Sequence, residues 1–251
     1  MRLTQIAALY SAAFQAIDDA VEPFRLVRPT TRGQQSLTVT TSESFAATWL
    51  VPRLASFIER YPNVEIRIET TSQVVDLRQD THVDLAIRHG LGEYPGLEAV
   101  RFLTPRMVPV CSPLLFKDRA PPLEPVDCLR FPLLQDCDRA DWLLWFRAHN
   151  VRDEHAARGS SFPNDHLLMQ AALAGQGIAL VRDTYVGEEL DRGRLVIAID
   201  RPWPSPFACY LVARPEIMRR QKVQFFLAWI LEEADAQAAF QEGKENCSAD
   251  R

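Results

Sequence analysis

Residues 37–90 constrain this chain most. They open with a short apolar run, Leu37, Thr38 and Val39, and break into a hydroxyl-rich turn at Thr40, Thr41, Ser42, Glu43 and Ser44. Phe45, Trp49, Leu50, Leu54, Phe57 and Ile58 then recur at spacings dominated by three and four, the period of a helix with one buried face. Tyr61, Pro62 and Asn63 end it. Val64, Ile66 and Ile68 alternate with Glu65, Arg67 and Glu69, which is the period of a half-buried strand. A second hydroxyl turn, Thr70, Thr71 and Ser72, leads through a short amphipathic segment to an apolar strand over residues 83–87. Strand, helix, strand, helix, strand in so short a span predicts βαβ units and a parallel sheet. In open sheets of this kind ligands bind beyond the carboxyl ends of the strands. Both hydroxyl turns and the pair Arg88, His89 fall at those ends.

The remainder reads as a second α/β unit. Strands are expected at 97–100 and 107–111, followed by a proline-rich shift at Pro113, Pro121, Pro122 and Pro125. The chain is expected to cross into a second lobe near Cys111. There, Leu133 and Leu134 form a short strand, and Trp142, Leu143, Trp145 and Phe146 a compact apolar helix. Asn164 caps a further helix, which Gly175 and Gly177 stop before a strand at 178–181. A short helix at 185–190, a strand at 195–199 and a returning strand at 207–212 follow. The two crossings, near Cys111 and Cys209, would make a two-strand hinge. A last helix after Pro215 buries Ile217, Val223, Phe226, Leu227, Ile230 and Leu231, and Arg219, Arg220 and Lys222 are read as its solvated face. The polar end is expected to be disordered.

At the other end, Leu3, Ile6, Tyr10, Ala13, Ile17, Ala20 and Phe24 form a narrow seam of heptad period, the pattern of a dimerisation helix or of an ordinary amphipathic one. The net charge of −5 gives no electrostatic footprint for nucleic acid. No apolar run reaches membrane-spanning length, and no signal-peptide core stands at the N-terminus, so a cytoplasmic protein is expected. Cys111, Cys128, Cys137, Cys209 and Cys247 show no C-x-x-C spacing and no histidine at ligand spacing, so neither a metal nor a cofactor is expected.

Several ordered segments carry a family resemblance: Ser44 to Ala47, then Trp49-Leu50-Val51-Pro52-Arg53-Leu54, then Val83-Asp84-Leu85-Ala86-Ile87-Arg88. Val108-Pro109-Val110-Cys111-Ser112-Pro113 and residues 171–180 continue the set. The chain resembles the effector-binding domain of LysR-type transcriptional regulators, in a glycine-cleavage-activator-like subgroup, from about residue 3 to residue 234. The resemblance implies an α/β, two-lobed periplasmic-binding-protein-like (type 2) fold with an N-terminal linker helix. On this reading residues 1–34 are the linker or dimerisation helix and loop. Residues 35–111 with 209–235 form subdomain I, 112–208 subdomain II, and 236–251 a disordered tail. Homodimers or tetramers are implied as well. The family's winged helix-turn-helix has no candidate in this sequence, so DNA would be reached only through a head these residues do not include.

The candidate effector site gathers Thr41, Ser42, Ser44, Thr71, Ser72, Arg88, Asn164 and Asp165. Two helix N-termini facing one cleft, at Ser42 or Ser44 and at Asn164 with Asp165, favour a carboxylate such as an amino acid or organic acid. Ser44 and Asn164 are equally suited to capping their own helices. Arg88 is suited either to a ligand carboxylate or to neutralising Asp84 or Glu93, and His89 and His166 are read as polar contacts. No enzyme is expected. Gly175-Gln176-Gly177 has Leu180 at the third glycine's place and follows a helix, the reverse of a dinucleotide fingerprint, and no G-x-S-x-G, H-E-x-x-H or phosphate loop occurs. The rivals are a solute-binding protein of the same fold, and a small enzyme on a similar scaffold.

Overall fold

The computed structural model describes residues 35–204 and 206–249; the heptad seam lies outside them. Two five-stranded sheets divide the chain. The first contains β1 (Gln35–Thr41), β2 (Val64–Thr70), β3 (Leu85–Gly90), β4 (Glu98–Leu103) and β10 (Ala208–Ala213), in the order β2-β1-β3-β10-β4. The second contains β5 (Arg106–Cys111), β6 (Leu133–Leu134), β7 (Ile178–Arg182), β8 (Val196–Ile197) and β9 (Trp203–Pro204), ordered β6-β7-β5-β8 with β9 also on β5.

The sheets are mixed rather than parallel throughout. β1 and β3 run parallel, with Val39 opposite Leu85, but β10 returns antiparallel between β3 and β4. The first crossing also lies one strand earlier than expected: β5 pairs with β7, β8 and β9, so the chain leaves the first sheet at residues 104–105. The second crossing follows β9. Residues 107–111 are apolar on both faces and suited to the middle of either sheet, so local pattern could not assign them.

The helical stretch after β1 is continuous but irregular. It starts as α1 (Glu43–Phe45), widens to a π turn over Ala46–Leu50, tightens to a 3-10 turn over Val51–Arg53, and continues as α2 (Leu54–Arg60). Pro52 has no N–H for the carbonyl four residues back, and its ring crowds that carbonyl. The connection between β2 and β3 was expected to carry a helix. Turns form instead, held by Asp76 accepting from the Arg78 N–H (3.1 Å) and Asp80 from the His82 N–H (2.8 Å). Aspartates satisfy backbone donors locally in this way and compete with helix.

Each sheet has its own core. Under the first, Leu37, Val39, Trp49, Phe57, Leu85 and Leu211 pack with Phe226 and Trp229 of the last helix, α7 (Gln221–Ala249), which follows the short α6 (Pro215–Met218). The second is buried on both faces, and alternation along β5 divides Met107 and Cys111 from Val108 and Val110. Trp142, Trp145 and Phe146 of α3 (Asp141–Ala148) cover one face, and α4 (Asp165–Leu173) covers the other. Gly175 ends the α4 region at φ +75°, and a Cβ on Gly177 would lie 2.3 Å from the Pro132 carbonyl oxygen, so both glycines have backbone reasons.

α7 corrects the expectation of disorder from residue 236, because it runs to Ala249. Its end is polar yet rich in alanine, glutamine and glutamate, which favour helix. Gln237 accepts from the Trp49 indole and from Arg53 (3.3 Å). Lys222 is also not solvated: it bonds Asp84 (2.6 Å), which accepts the Thr38 N–H as well (2.9 Å).

Candidate functional site

Parallel pairing of β1 and β3 puts their carboxyl ends on one edge, and the second sheet brings the end of β7 and the start of α4 against it. Ser42 caps the first helix by accepting the Phe45 N–H at 3.3 Å. Asn164 caps α4 by accepting the Leu167 N–H at 2.9 Å. The two caps also meet each other across the lobes. The Asn164 amide donates to Glu43 Oε2 (3.0 Å), and the His166 backbone N–H donates to the buried Ser44 hydroxyl (3.1 Å). Capping and contact across the cleft therefore coexist at Asn164.

Arg182, the last residue of β7, is the charged centre of this junction. It forms an ion pair with Asp165. Across the lobes its guanidinium lies 3.3 Å from His89 Nδ1 and 3.5 Å from Nε2, and it stands over the Tyr185 ring at 5.7 Å. Burial alone would lower its pKa, but Asp165, with Tyr185, Cys209 and Asp141, outweighs burial and holds it above the ordinary value. His89 is pushed down to about 3, by burial and then by the Arg182 charge, so it faces the guanidinium as neutral imidazole. Asp141 is pushed up to about 6 by burial and by Asp136. Burial raises the Cys209 thiol to about 12 and does the same to Cys111 and Cys128, so these three are poor thiolate nucleophiles.

The other expected residues are distributed less simply. The Thr41 hydroxyl is buried with no partner, and its carbonyl accepts the Thr71 N–H (3.0 Å). Thr71 closes its own turn by accepting from the Gln73 N–H (3.0 Å), and Ser72 is exposed. Arg88 donates to the Val75 carbonyl (3.2 Å). Successive strand residues face opposite sides, so Arg88 turns away from the side where His89 meets Arg182. Asp84 is already neutralised by Lys222. Sequence reasoning missed Arg182 and Glu43. The strand-end rule that selected Arg88 selects Arg182 equally, since it closes the apolar strand 178–181.

A cavity of about 670 Å³ lies between the π and 3-10 turns that follow α1 and the helix α5 (Asp183–Asp191), with Thr48, Arg53, His166, Gln170 and Thr184 on its walls. Among the described residues, Asp136, Cys137 and Asp138 bring metal-type donor atoms within 4.8 Å of one another. Asp136 there accepts the backbone N–H groups of Asp138 (3.2 Å) and Asp141 (3.4 Å). No helix among the described residues is long and apolar enough to cross a membrane.

The family model "LysR substrate binding domain" matches residues 30–235. The chain belongs to the LysR substrate-binding family. It is 36% identical over 202 residues to the glycine cleavage system transcriptional activator of Escherichia coli (strain K12), a match covering 80% of this chain and 66% of that relative's length. A Haemophilus influenzae homolog of that activator is 27% identical over 237 residues, covering 92% of this chain and 76% of its own. The effector domain of the transcriptional regulator AmpR of Pseudomonas aeruginosa superposes with a TM-score of 0.71 at 26% identity, over 82% of this chain and 99% of that one. The LysR-type domain thus has the two-lobed, periplasmic-binding-protein-like fold, with the Ser44–Asn164–Arg182 junction between its lobes.

Proposed function

We infer that this domain is the sensing part of a cytoplasmic LysR-type transcriptional regulator, and that it binds a small carboxylate or amino-acid-like effector between its lobes. The observation that carries this reading is the meeting of two capped helix N-termini and a half-buried arginine at the carboxyl ends of β1, β3 and β7. The dipole of the α4 start and a guanidinium make such a place favourable for negative charge. Thr41, Ser42, Ser44, Thr71, Ser72, Asn164 and Asp165 are the groups we assign to the effector, while Arg88 braces the β2–β3 connection. The unpartnered Thr41 hydroxyl supports that lining.

Binding biases lobe closure only if the effector favours one arrangement over the other. In the intact regulator that bias would reach DNA through a winged helix-turn-helix. Oligomerisation is part of the proposal: Val51 and Ile58 on the first lobe and Ile197 on the second are apolar yet exposed by 54, 51 and 45%, side chains that burial against a second copy would cover. The test is a thermal-shift screen of the domain against amino acids and organic acids. A hit is expected to raise the melting temperature of the wild type and to lose that effect with Ser42→Ala combined with Ser44→Ala. An undiminished shift in the double variant would place the effector elsewhere.

A further inference from the structure

Arg182 stands out among the cleft residues, because a fixed positive charge is built into a place where lobes meet and its counter-charge comes from its own lobe. Asp165 is the first residue of α4, where the helix dipole already favours an anion. Its carboxylate pairs with Arg182, and no charge from the first lobe takes part, because the residue facing Arg182 from β3 is the neutral His89. The pair is not sealed: 20% of the Arg182 side chain and 16% of the Asp165 side chain remain accessible. The neighbouring donors are taken, since Ser44 holds the His166 N–H and Asn164 holds the Leu167 N–H. Exchange at the guanidinium is therefore the way for an incoming carboxylate to find a strong partner here.

We propose that Arg182 is the residue that selects for an anionic effector, and that Asp165 is a built-in carboxylate occupying it until a ligand's own carboxylate takes its place. This rests on the reading of the domain as a carboxylate sensor and names the group that makes it one. The exchange breaks and forms only ion pairs. The Asp165 carboxylate, once released, remains at the first residue of α4 beside the cleft and suits an ammonium group, so a zwitterionic amino acid satisfies both halves of the broken pair.

The test uses the domain without its unknown effector. Asp165→Ala removes the internal carboxylate and strands the Arg182 charge, and sodium formate and sodium acetate serve as probes against sodium chloride at matched ionic strength. Asp165→Ala is expected to melt below wild type in chloride and to regain that loss in formate or acetate, at about tenfold lower concentration than any shift of the wild type requires. Acetamide, which has the shape without the charge, is expected to do nothing. Arg182→Gln is expected to ignore all three probes. Should that variant fail to fold, Asp165→Ala with Arg182→Gln, which strands no charge, takes its place and is expected to be equally indifferent. An Asp165→Ala protein that carboxylates do not rescue would overturn the proposal and leave a purely structural ion pair. So would rescue that survives the loss of Arg182. A metabolite that still shifts the wild type in either case would leave the sensing reading standing without this anchor. Rescue by formate with no response to any metabolite would keep the anion site and remove the sensing role.

Discussion

At the scale of single residues, the cleft works by holding charges in unequal environments. His89 is held neutral because desolvation beside Arg182 and the Arg182 charge both oppose its protonation; the residue is nonetheless exposed, so water screens part of that penalty. Its folded-state pKa lies below the unfolded value of 6.5. The unfolded chain therefore takes up a proton that the folded domain refuses, and stability falls as pH drops through 6.5 towards 3. Asp141, raised to about 6, works the other way in the same window, so the expected signature is comparative: between pH 7 and 4 the wild type loses more melting temperature, or gains less, than His89→Gln. Asp84 and Lys222 make a second test. Their side chains are 13 and 15% exposed, so removing one partner strands the other. Asp84→Ala is expected to cost about 3 kcal/mol in urea unfolding, and replacing both by neutral residues much less.

At the scale of elements, the helix after β1 and α4 do two jobs each, and substitutions can separate them. Asn164→Ala loses the cap of α4 and the bond to Glu43 together, with about 1 kcal/mol expected for the cap alone. Asn164→Asp keeps an acceptor for the Leu167 N–H but places a carboxylate opposite Glu43. Denaturant unfolding is expected to find Asn164→Asp near wild type at low pH and weaker at neutral pH, where both carboxylates are charged. Pro52 has a comparable double role, since it loosens the helix after β1 where that helix passes along α7. Arg53 and Trp49 engage Gln237 there, and Trp229 donates to Ser56 (2.8 Å).

At the scale of the whole molecule, two sheets with separate cores are joined by two crossings and held at the cleft by a few polar contacts. Glu43→Ala with Asn164→Ala is expected to open the lobes, giving a larger radius of gyration in small-angle scattering with an unchanged far-ultraviolet circular dichroism spectrum. An unchanged radius would mean that the hinge, not the cleft contacts, sets closure. The sequence by itself determined the α/β class, the helix stop at Gly175, the cap at Asn164 and the placing of both hydroxyl turns at strand ends, because each depends on chemistry within a few residues. It did not place the first crossing, since Met107 to Cys111 are apolar in a way that suits either sheet. Only the tertiary structure decided that Arg182 meets Asp165 and His89, that Arg88 turns to Val75 and that Asp84 belongs to Lys222. Those partners are brought together by sheet order and lobe closure, and the affinity of one charge for another carries no address in the local pattern.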